Sequence, residues 1–307
     1  MIAMLVTATA LFMAWAIGAN DSAKAVGTAV GSGIIGFKRA VLIIAVFVTM
    51  GAILGGSGVS NTVSGLAGGM GWLSLGLVLF SAASAVTLAS LWGNPISTTQ
   101  AIIGALVGAS LASDLPVNWY VVGKIVLTWV ISPALAGALS IAIYALYKMI
   151  LNRIKHLGTL ELTQKWLAFI AAAYASFNLG TNELANVIGL ADGGSSARIL
   201  LALALGLGAL TFSYEVMMTV GKDLAPLGPT SGFSAQMGAA LAVTIANLFG
   251  IPVSSGQAIV GAISGVSLYK GGPVNKKALK GILRGWITAP LGAGLLAFLL
   301  VKLFAIL

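Results

Sequence analysis

The sequence contains no cysteine and a single histidine, His156. Without cysteine there are no disulfides, thiolate ligands or iron–sulfur clusters, and one histidine cannot form the clusters that hold zinc or haem. Charge is also scarce, since 7% of the 307 residues are charged, compared with about a quarter in ordinary soluble domains. We therefore expect no redox cofactor. Because 59% of the residues are hydrophobic, we expect the chain to fold in a bilayer.

Apolar runs of membrane-spanning length recur along the chain. They lie near residues 1–35, 39–57, 71–93, 95–112, 117–150, 165–190, 196–219, 232–250, 252–270 and 278–305. These segments predict an all-α integral membrane protein of the multi-pass type, with five segments in each half. We expect a first repeat at residues 1–150, a cytoplasmic connector at 151–164 and a second repeat at 165–307.

The net charge of +9 comes from basic residues that fall on one side of the membrane if every segment changes sides. The inside group is Lys38, Arg39, Lys148, Arg153, Lys155, Lys165, Lys222, Lys270, Lys276, Lys277, Lys280 and Arg284. Only Arg198 and Lys302 fall outside. This distribution follows the positive-inside rule and predicts an external N-terminus in the plasma membrane. It explains the charge by cytoplasmic loops and lipid headgroups, so we expect no nucleic-acid partner.

The chain contains an internal repeat. At an offset of 157, residues 81–111 align with residues 238–268, and 18 of these 31 positions are identical. At an offset of 162, residues 18–27 align with residues 180–189. Because each half has an odd number of segments, the second half enters the membrane from the opposite side. Inverted repeats of this kind are typical of secondary transporters, with a site near the midplane.

Two Asn-acid pairs, Asn20-Asp21 and Asn182-Glu183, lie within apolar segments. An ionised carboxylate there needs a cation or hydrogen bonds to compensate it. Carboxylate and amide oxygens suit a hard cation such as Na⁺, and a carboxylate also carries H⁺. A structural alternative for Asp21 is an ion pair with Lys24, one helical turn away.

Two hydroxyl-rich stretches follow prolines at equivalent positions of the halves and have the pattern of helix starts. A helix that begins inside the membrane directs free N–H groups and its positive dipole end into the site. Facing each other, the two stretches predict a cage for a tetrahedral oxyanion. Its residues are Ser97, Thr98, Thr99, Gln100, Ser254, Ser255 and Gln257. Ordinary helix caps are the alternative interpretation.

The Gly-Ala-Asn-Asp segment at 18–21, its partner at 180–183 and the paired hydroxyl-rich hairpins resemble the inorganic phosphate transporter (PiT) family. The resemblance covers nearly the whole chain. It implies an inverted-repeat fold with broken helices, two re-entrant helical hairpins, and cation-coupled uptake of inorganic phosphate, driven by Na⁺ or in some members by H⁺. When the family's motifs are matched to this sequence, the resemblance implies cation sites at Asn20, Asp21, Asn182 and Glu183. It also implies that the two acids, Asp21 and Glu183, lie near the substrate. The phosphate site falls on the seven cage residues.

This chain departs from the family's usual pattern at three places. Lys24 replaces a common asparagine, Glu183 replaces aspartate, and Ser255-Gly256-Gln257 replaces Thr-Thr-His. The family also contains sulfate permeases, so an H⁺-coupled sulfate permease is the alternative to Na⁺-coupled phosphate symport. Asp21 and Glu183 favour phosphate because a protonated oxyanion needs an acceptor for its hydrogen.

Two other classes of function fit less well. An anion channel would be poorly served by buried carboxylates, and the sequence shows no symmetric ring of charge. A hydrolase using Asp21 and Glu183 as acid and base would lack a nucleophile or metal set. We therefore expect a transporter rather than an enzyme. Its apolar outer faces suit lipid or a second copy of the chain.

Overall fold

The computed structural model describes residues 2–191 and 194–306. Within these residues the chain is helical almost throughout and has no strand. The first half forms α1 (Ile2–Gly31), α2 (Phe37–Leu54), α3 (Ser57–Leu66), α4 (Trp72–Leu91), α5 (Thr98–Ala112) and α6 (Trp119–Leu151). The second half forms α7 (Leu157–Asn178), α8 (Ala185–Ala191), α9 (Ser195–Met218), α10 (Pro229–Leu248), α11 (Ser255–Tyr269) and α12 (Lys276–Ile306). One π-helical turn, Leu179–Leu184, joins α7 to α8, and another, Thr219–Asp223, follows α9.

Six helices in the described part of the chain are long and apolar enough to cross a membrane. They belong to α1, α2, α4, α6, α9 and α12. Helices α5 and α11 have 15 residues each. At 1.5 Å per residue such a helix is about 22 Å long, which is less than the hydrocarbon thickness of about 30 Å. The ten apolar segments therefore do not all cross, because α5 and α11 are too short. Each forms a re-entrant hairpin with the helix before it: α4–α5 is hairpin 1 and α10–α11 is hairpin 2, although α4 by itself is long enough to cross.

The tips of the two hairpins have the same backbone construction. Gly93 and Gly250 adopt the left-handed conformation, with φ of 64° and 65°. Glycine adopts this conformation without the steric penalty of a side chain, so each residue ends the first arm of its hairpin. Pro95 and Pro252 follow in the extended stretch before the second arm, where the missing N–H is tolerated. The repeated Gly-x-Pro sequence thus produces both tips.

Each hairpin packs against the last long helix of the other repeat. Hairpin 1 lies on α12, where Gly104 contacts the backbone of Pro290. Hairpin 2 lies on α6, where Gly261 contacts the backbone of Pro133. These pairs are equivalent under the 157-residue offset. Glycine permits this close approach of helix backbones, so it is required by packing here.

Replacing Gly104 with alanine is expected to lower the free energy of unfolding by about 1–3 kcal/mol, because the added Cβ would overlap the backbone of Pro290. Thermal unfolding in detergent measures the effect. The matched control is Gly292→Ala on α12, where an added Cβ meets no atom of the described chain within 4 Å. Equal unfolding temperatures for the two variants would contradict the packing role.

Two elements differ from the pattern of apolar runs. Helix α3 lies in a polar stretch between two predicted segments, and it packs on α8 of the second half. Helix α7 begins at Leu157, so its first eight residues lie in the predicted connector 151–164. Both stretches are too polar for their sequences to predict membrane segments, although both form regular helix.

Candidate functional site

Asn20, in the middle of α1, holds the tip of hairpin 1. Its Nδ2 donates to Ser90 Oγ and to the Asn94 carbonyl, both at 3.0 Å. Its Oδ1 accepts the backbone N–H of Ile96 at 3.1 Å. The side chain is fully buried, and its hydrogen bonds satisfy backbone groups that the break between α4 and α5 leaves free.

Asn182 makes the equivalent contacts in the second half. Its Nδ2 donates to the Val253 carbonyl at 2.7 Å, and its Oδ1 accepts the Val253 N–H at 3.2 Å. Val253 corresponds to Ile96 under the 157-residue offset. Unlike Asn20, which lies in regular α-helix, Asn182 lies in a π-helical turn. Turns of this type are frequent at functional sites. Both asparagines predicted as cation ligands thus bind a hairpin tip.

The carboxylate of Glu183 lies between the two hairpins and accepts hydrogen bonds from hydroxyl groups of both. Thr98 and Thr99 of hairpin 1 each donate to Oε2 at 2.7 Å. Ser255 of hairpin 2 donates from Oγ to Oε1 at 2.7 Å, and its backbone N–H lies 3.4 Å from the same oxygen. Glu183 is 1% exposed. The first turns of α5 and α11 therefore both point at one buried carboxylate, as the dipoles of helix N-termini favour.

Asp21 lies on the other side of Thr98. Its Oδ2 is 2.5 Å from Thr98 Oγ1, and its Oδ1 is 2.5 Å from Lys24 Nζ. Among the described residues this is the only buried ion pair, because the pairs Lys165–Glu161 and Lys302–Asp114 are exposed. The ion pair expected as the structural alternative for Asp21 is therefore present.

The hydroxyl of Thr98 thus contacts carboxylates of both halves, although it has one hydrogen to donate. Only one of the two carboxylates can accept that hydrogen at a time. The other contact requires a proton on a carboxyl group or a cation to bring the oxygens together. This three-residue bridge joins the two repeats at the centre of the protein.

The seven predicted cage residues divide into three groups. Thr98, Thr99 and Ser255 bind the carboxylates. Ser97 and Ser254 cap their helices, since each Oγ accepts the backbone N–H of the residue three positions later. For these two serines the helix-cap interpretation describes the hydrogen bonds of the structure.

The third group is Gln100 and Gln257, which are equivalent residues in the first turns of α5 and α11. They are 2% and 4% exposed. The Oε1 atom of each is buried and has no hydrogen-bond partner among the described residues. A buried acceptor without a donor is costly, so both oxygens are suited to receive one from a bound molecule.

Sequence reasoning missed the residues that support the site from outside the motifs. Thr62 of α3 donates to the Gly250 carbonyl at 2.6 Å, at the tip of hairpin 2, and Ser60 donates to Ala185 at 2.9 Å. Asn186 donates to Thr99 Oγ1 at 3.3 Å, and its own Oδ1 is buried without a partner. The repeat alignment of Asn186 with Lys24 was the available signal for that residue.

Together, six apolar helices, two inverted repeats and two hairpins meeting at buried carboxylates define a multi-pass membrane protein with an architecture typical of transporters. A sequence profile of the phosphate transporter family matches the chain twice, at residues 17–162 and 152–297. This chain therefore belongs to the phosphate transporter family.

Individual relatives agree in length and fold. A proposed phosphate permease of Methanocaldococcus jannaschii is 33% identical over 294 residues, covering 95% of this chain and 94% of the relative. A proposed phosphate permease of Haemophilus influenzae is 29% identical, with 92% of each chain covered. A solved structure named as the sodium-dependent phosphate transporter matches with a TM-score of 0.87 at 23% identity, over 100% of this chain and 99% of its own. The last comparison shows that the fold is shared.

Proposed function

We propose that this chain is a secondary active transporter that carries inorganic phosphate together with Na⁺ by alternating access. The observation that carries the proposal is the buried carboxylate of Glu183, which accepts hydrogen bonds from hydroxyl groups of both hairpins. The family, the names of the permease relatives and the name of the structural relative support phosphate and sodium.

The hydroxyl contacts supply a physical reason for coupling. Thr98, Thr99 and Ser255 each have one hydroxyl hydrogen, and the structure directs it to a carboxylate. The same hydrogens cannot also be donated to phosphate. A cation that neutralises Glu183 weakens the hydrogen bonds between these hydroxyl groups and the carboxylate. The hydroxyl groups can then donate to the oxyanion. Cation binding then precedes or accompanies phosphate binding.

The closed state of the site fits alternating access. Asp21, Thr98, Thr99 and Glu183 are at most 1% exposed. Substrate cannot reach them without movement of the hairpins or of the helices that support them. We propose that the two repeats, residues 1–150 and 165–307, rearrange to open the site to each side in turn.

We also propose that the protein lies in the plasma membrane with its N-terminus outside. The hairpins do not alter the charge argument, because the tips between α4 and α5 and between α10 and α11 carry no charged residue. A re-entrant hairpin and a pair of crossing helices both return the chain to its starting side. The twelve inside and two outside basic residues therefore keep their positions.

The two unpartnered glutamine oxygens favour phosphate over sulfate as the substrate. Phosphate near neutral pH still carries at least one hydrogen, whereas sulfate carries none. Gln100 Oε1 and Gln257 Oε1 are acceptors, so monohydrogen phosphate would satisfy one of them and dihydrogen phosphate would satisfy both. Sulfate would leave both oxygens without a donor, and sites built to accept a hydrogen discriminate strongly against ligands that lack it.

The function is tested in liposomes containing the purified protein. Uptake of labelled phosphate and labelled sulfate is measured with an inward Na⁺ gradient, an inward H⁺ gradient, or neither. Phosphate accumulation that requires Na⁺ supports the proposal. Sulfate accumulation driven by H⁺ would contradict both substrate and ion, and downhill flux without accumulation would indicate a channel.

Replacing both Gln100 and Gln257 with methionine is expected to raise the apparent KM for phosphate by roughly 10-fold or more, since each lost hydrogen bond contributes about 1 kcal/mol. Methionine preserves the side-chain length while removing the amide. An unchanged KM for phosphate would exclude both residues from the substrate site.

A further inference from the structure

The inverted repeat gives the protein two equivalent carboxylates, but their surroundings differ. Asp21 corresponds to Glu183, and Lys24 corresponds to Asn186, at the 162-residue offset. On the hairpins, Thr99 corresponds to Gly256 at the 157-residue offset. The half that contains Glu183 thus has a neutral asparagine where the half that contains Asp21 has a lysine.

The residues that differ between the halves are in contact with each other. Around Glu183, Asn186 Nδ2 donates to Thr99 Oγ1 of hairpin 1 at 3.3 Å. Around Asp21, a Cβ placed on Gly256 of hairpin 2 would lie 3.1 Å from Lys24 Cε and 3.3 Å from Lys24 Nζ. A threonine at 256 would therefore crowd the end of the lysine side chain. The absence of a side chain at 256 leaves the space that the ammonium group uses, so the two replacements compensate each other.

The charges of the two halves differ in the same way. The ammonium of Lys24 lies 2.5 Å from Asp21, and the two side chains are 1% and 0% exposed. Among the described residues the hydrogen-bond donors to Glu183 are all neutral: Thr98, Thr99, Ser255 and Asn182. Beside it, the buried Oδ1 of Asn186 has no partner among the described residues. Asp21 is thus neutralised by the chain itself, whereas Glu183 has neutral hydrogen-bond donors and forms no ion pair with the described residues.

We propose that Lys24 is a tethered cation that permanently occupies the site around Asp21. Only the site around Glu183 then takes up and releases a coupling cation. Transport then moves one cation fewer per phosphate than two equivalent exchangeable sites would move. The inference rests on the proposed function, since it concerns how that transport is coupled.

The paired variant Lys24→Asn/Gly256→Thr tests the proposal, because it rebuilds around Asp21 the residues found around Glu183. The ratio of labelled sodium to labelled phosphate entering liposomes is measured for wild type and variant. We expect the ratio to rise by about one sodium ion per phosphate, as a newly unpaired buried carboxylate requires a cation. A transporting paired variant with the wild-type ratio would overturn the proposal. Lys24→Arg keeps the positive charge, so its ratio is expected to match wild type at whatever rate it transports.

Equilibrium binding of labelled sodium to the purified protein in detergent gives a second measurement that does not need transport. We expect one more bound sodium ion in the paired variant than in wild type, and equal numbers in two folded proteins would overturn the proposal. Failure of the proposed function gives a different result, namely wild-type phosphate uptake that ignores both Na⁺ and H⁺ gradients. If H⁺ drives wild-type uptake, the same ratio is counted in protons.

Discussion

Replacing Asp21 with asparagine is expected to abolish cation-driven accumulation of phosphate and to destabilise the protein. The change leaves the ammonium of Lys24 buried without its partner, 2.5 Å from where the carboxylate had been. Removal of one member of a buried ion pair costs about 3–5 kcal/mol. The stranded positive charge would also repel a cation at Glu183, which shares Thr98 with Asp21. Liposome uptake and thermal unfolding measure the two effects.

The control for Asp21→Asn is the double variant Asp21→Asn/Lys24→Met, which removes both charges of the pair. Its unfolding temperature is expected to return towards that of wild type, since paired charges replaced together cost far less than one alone. Uptake by the folded double variant shows whether the single variant failed through the missing carboxylate or through the stranded ammonium. Unimpaired accumulation by Asp21→Asn would remove Asp21 from the mechanism.

Replacing Glu183 with glutamine is expected to separate phosphate movement from cation movement. The amide is neutral, so no cation is needed to release Thr98, Thr99 and Ser255 from it. We expect phosphate exchange across the liposome membrane to persist. Net accumulation should be lost, with the inside-to-outside ratio of phosphate falling to about one, because the coupling free energy is removed.

Two measurements distinguish this result from simple inactivation. Counterflow of labelled against unlabelled phosphate reports exchange alone, and accumulation under a Na⁺ gradient reports coupling. The variant Glu183→Asp retains the charge and so should retain Na⁺ dependence, although its shorter side chain moves the carboxylate away from the hydroxyls. Uphill accumulation by Glu183→Gln would refute the role of Glu183 in coupling.

The repeat made much of the fold predictable. Identical residues at a fixed offset place Gly93 and Pro95 opposite Gly250 and Pro252, and these residue types by themselves indicate a broken helix. The buried acids were also recognisable, since a carboxylate in an apolar segment stands out wherever the helix lies. Of the seven hairpin residues predicted to surround an oxyanion, Thr98, Thr99 and Ser255 contact these acids in the structure.

The partners of the cluster were not predictable in the same way. The sequence predicted the hairpin hydroxyls as ligands of an oxyanion, and it gave no sign that Thr98 also contacts the protein's own carboxylates. That outcome depends on the separation of the two repeats, which no local pattern encodes. Similarly, the aligned segments at Asp21 and Glu183 differ in backbone, since one is α-helical and the other lies in a π-helical turn. Helix type at a single turn is decided by packing.

The exchange of supporting helices between the repeats determines the order in which the protein can be assembled. Hairpin 2 lies on α6, which the ribosome completes before the hairpin is made. Hairpin 1 lies on α12, where Gly104 and Gly108 meet Pro290 and Gly294 at the far end of the chain. Since synthesis proceeds from the N-terminus, hairpin 1 cannot pack against α12 until this last helix has been made. A chain that stops before residue 276 lacks this surface, so it cannot complete the junction between Asp21 and Glu183, even though both acids and all the hydroxyl groups have already been made.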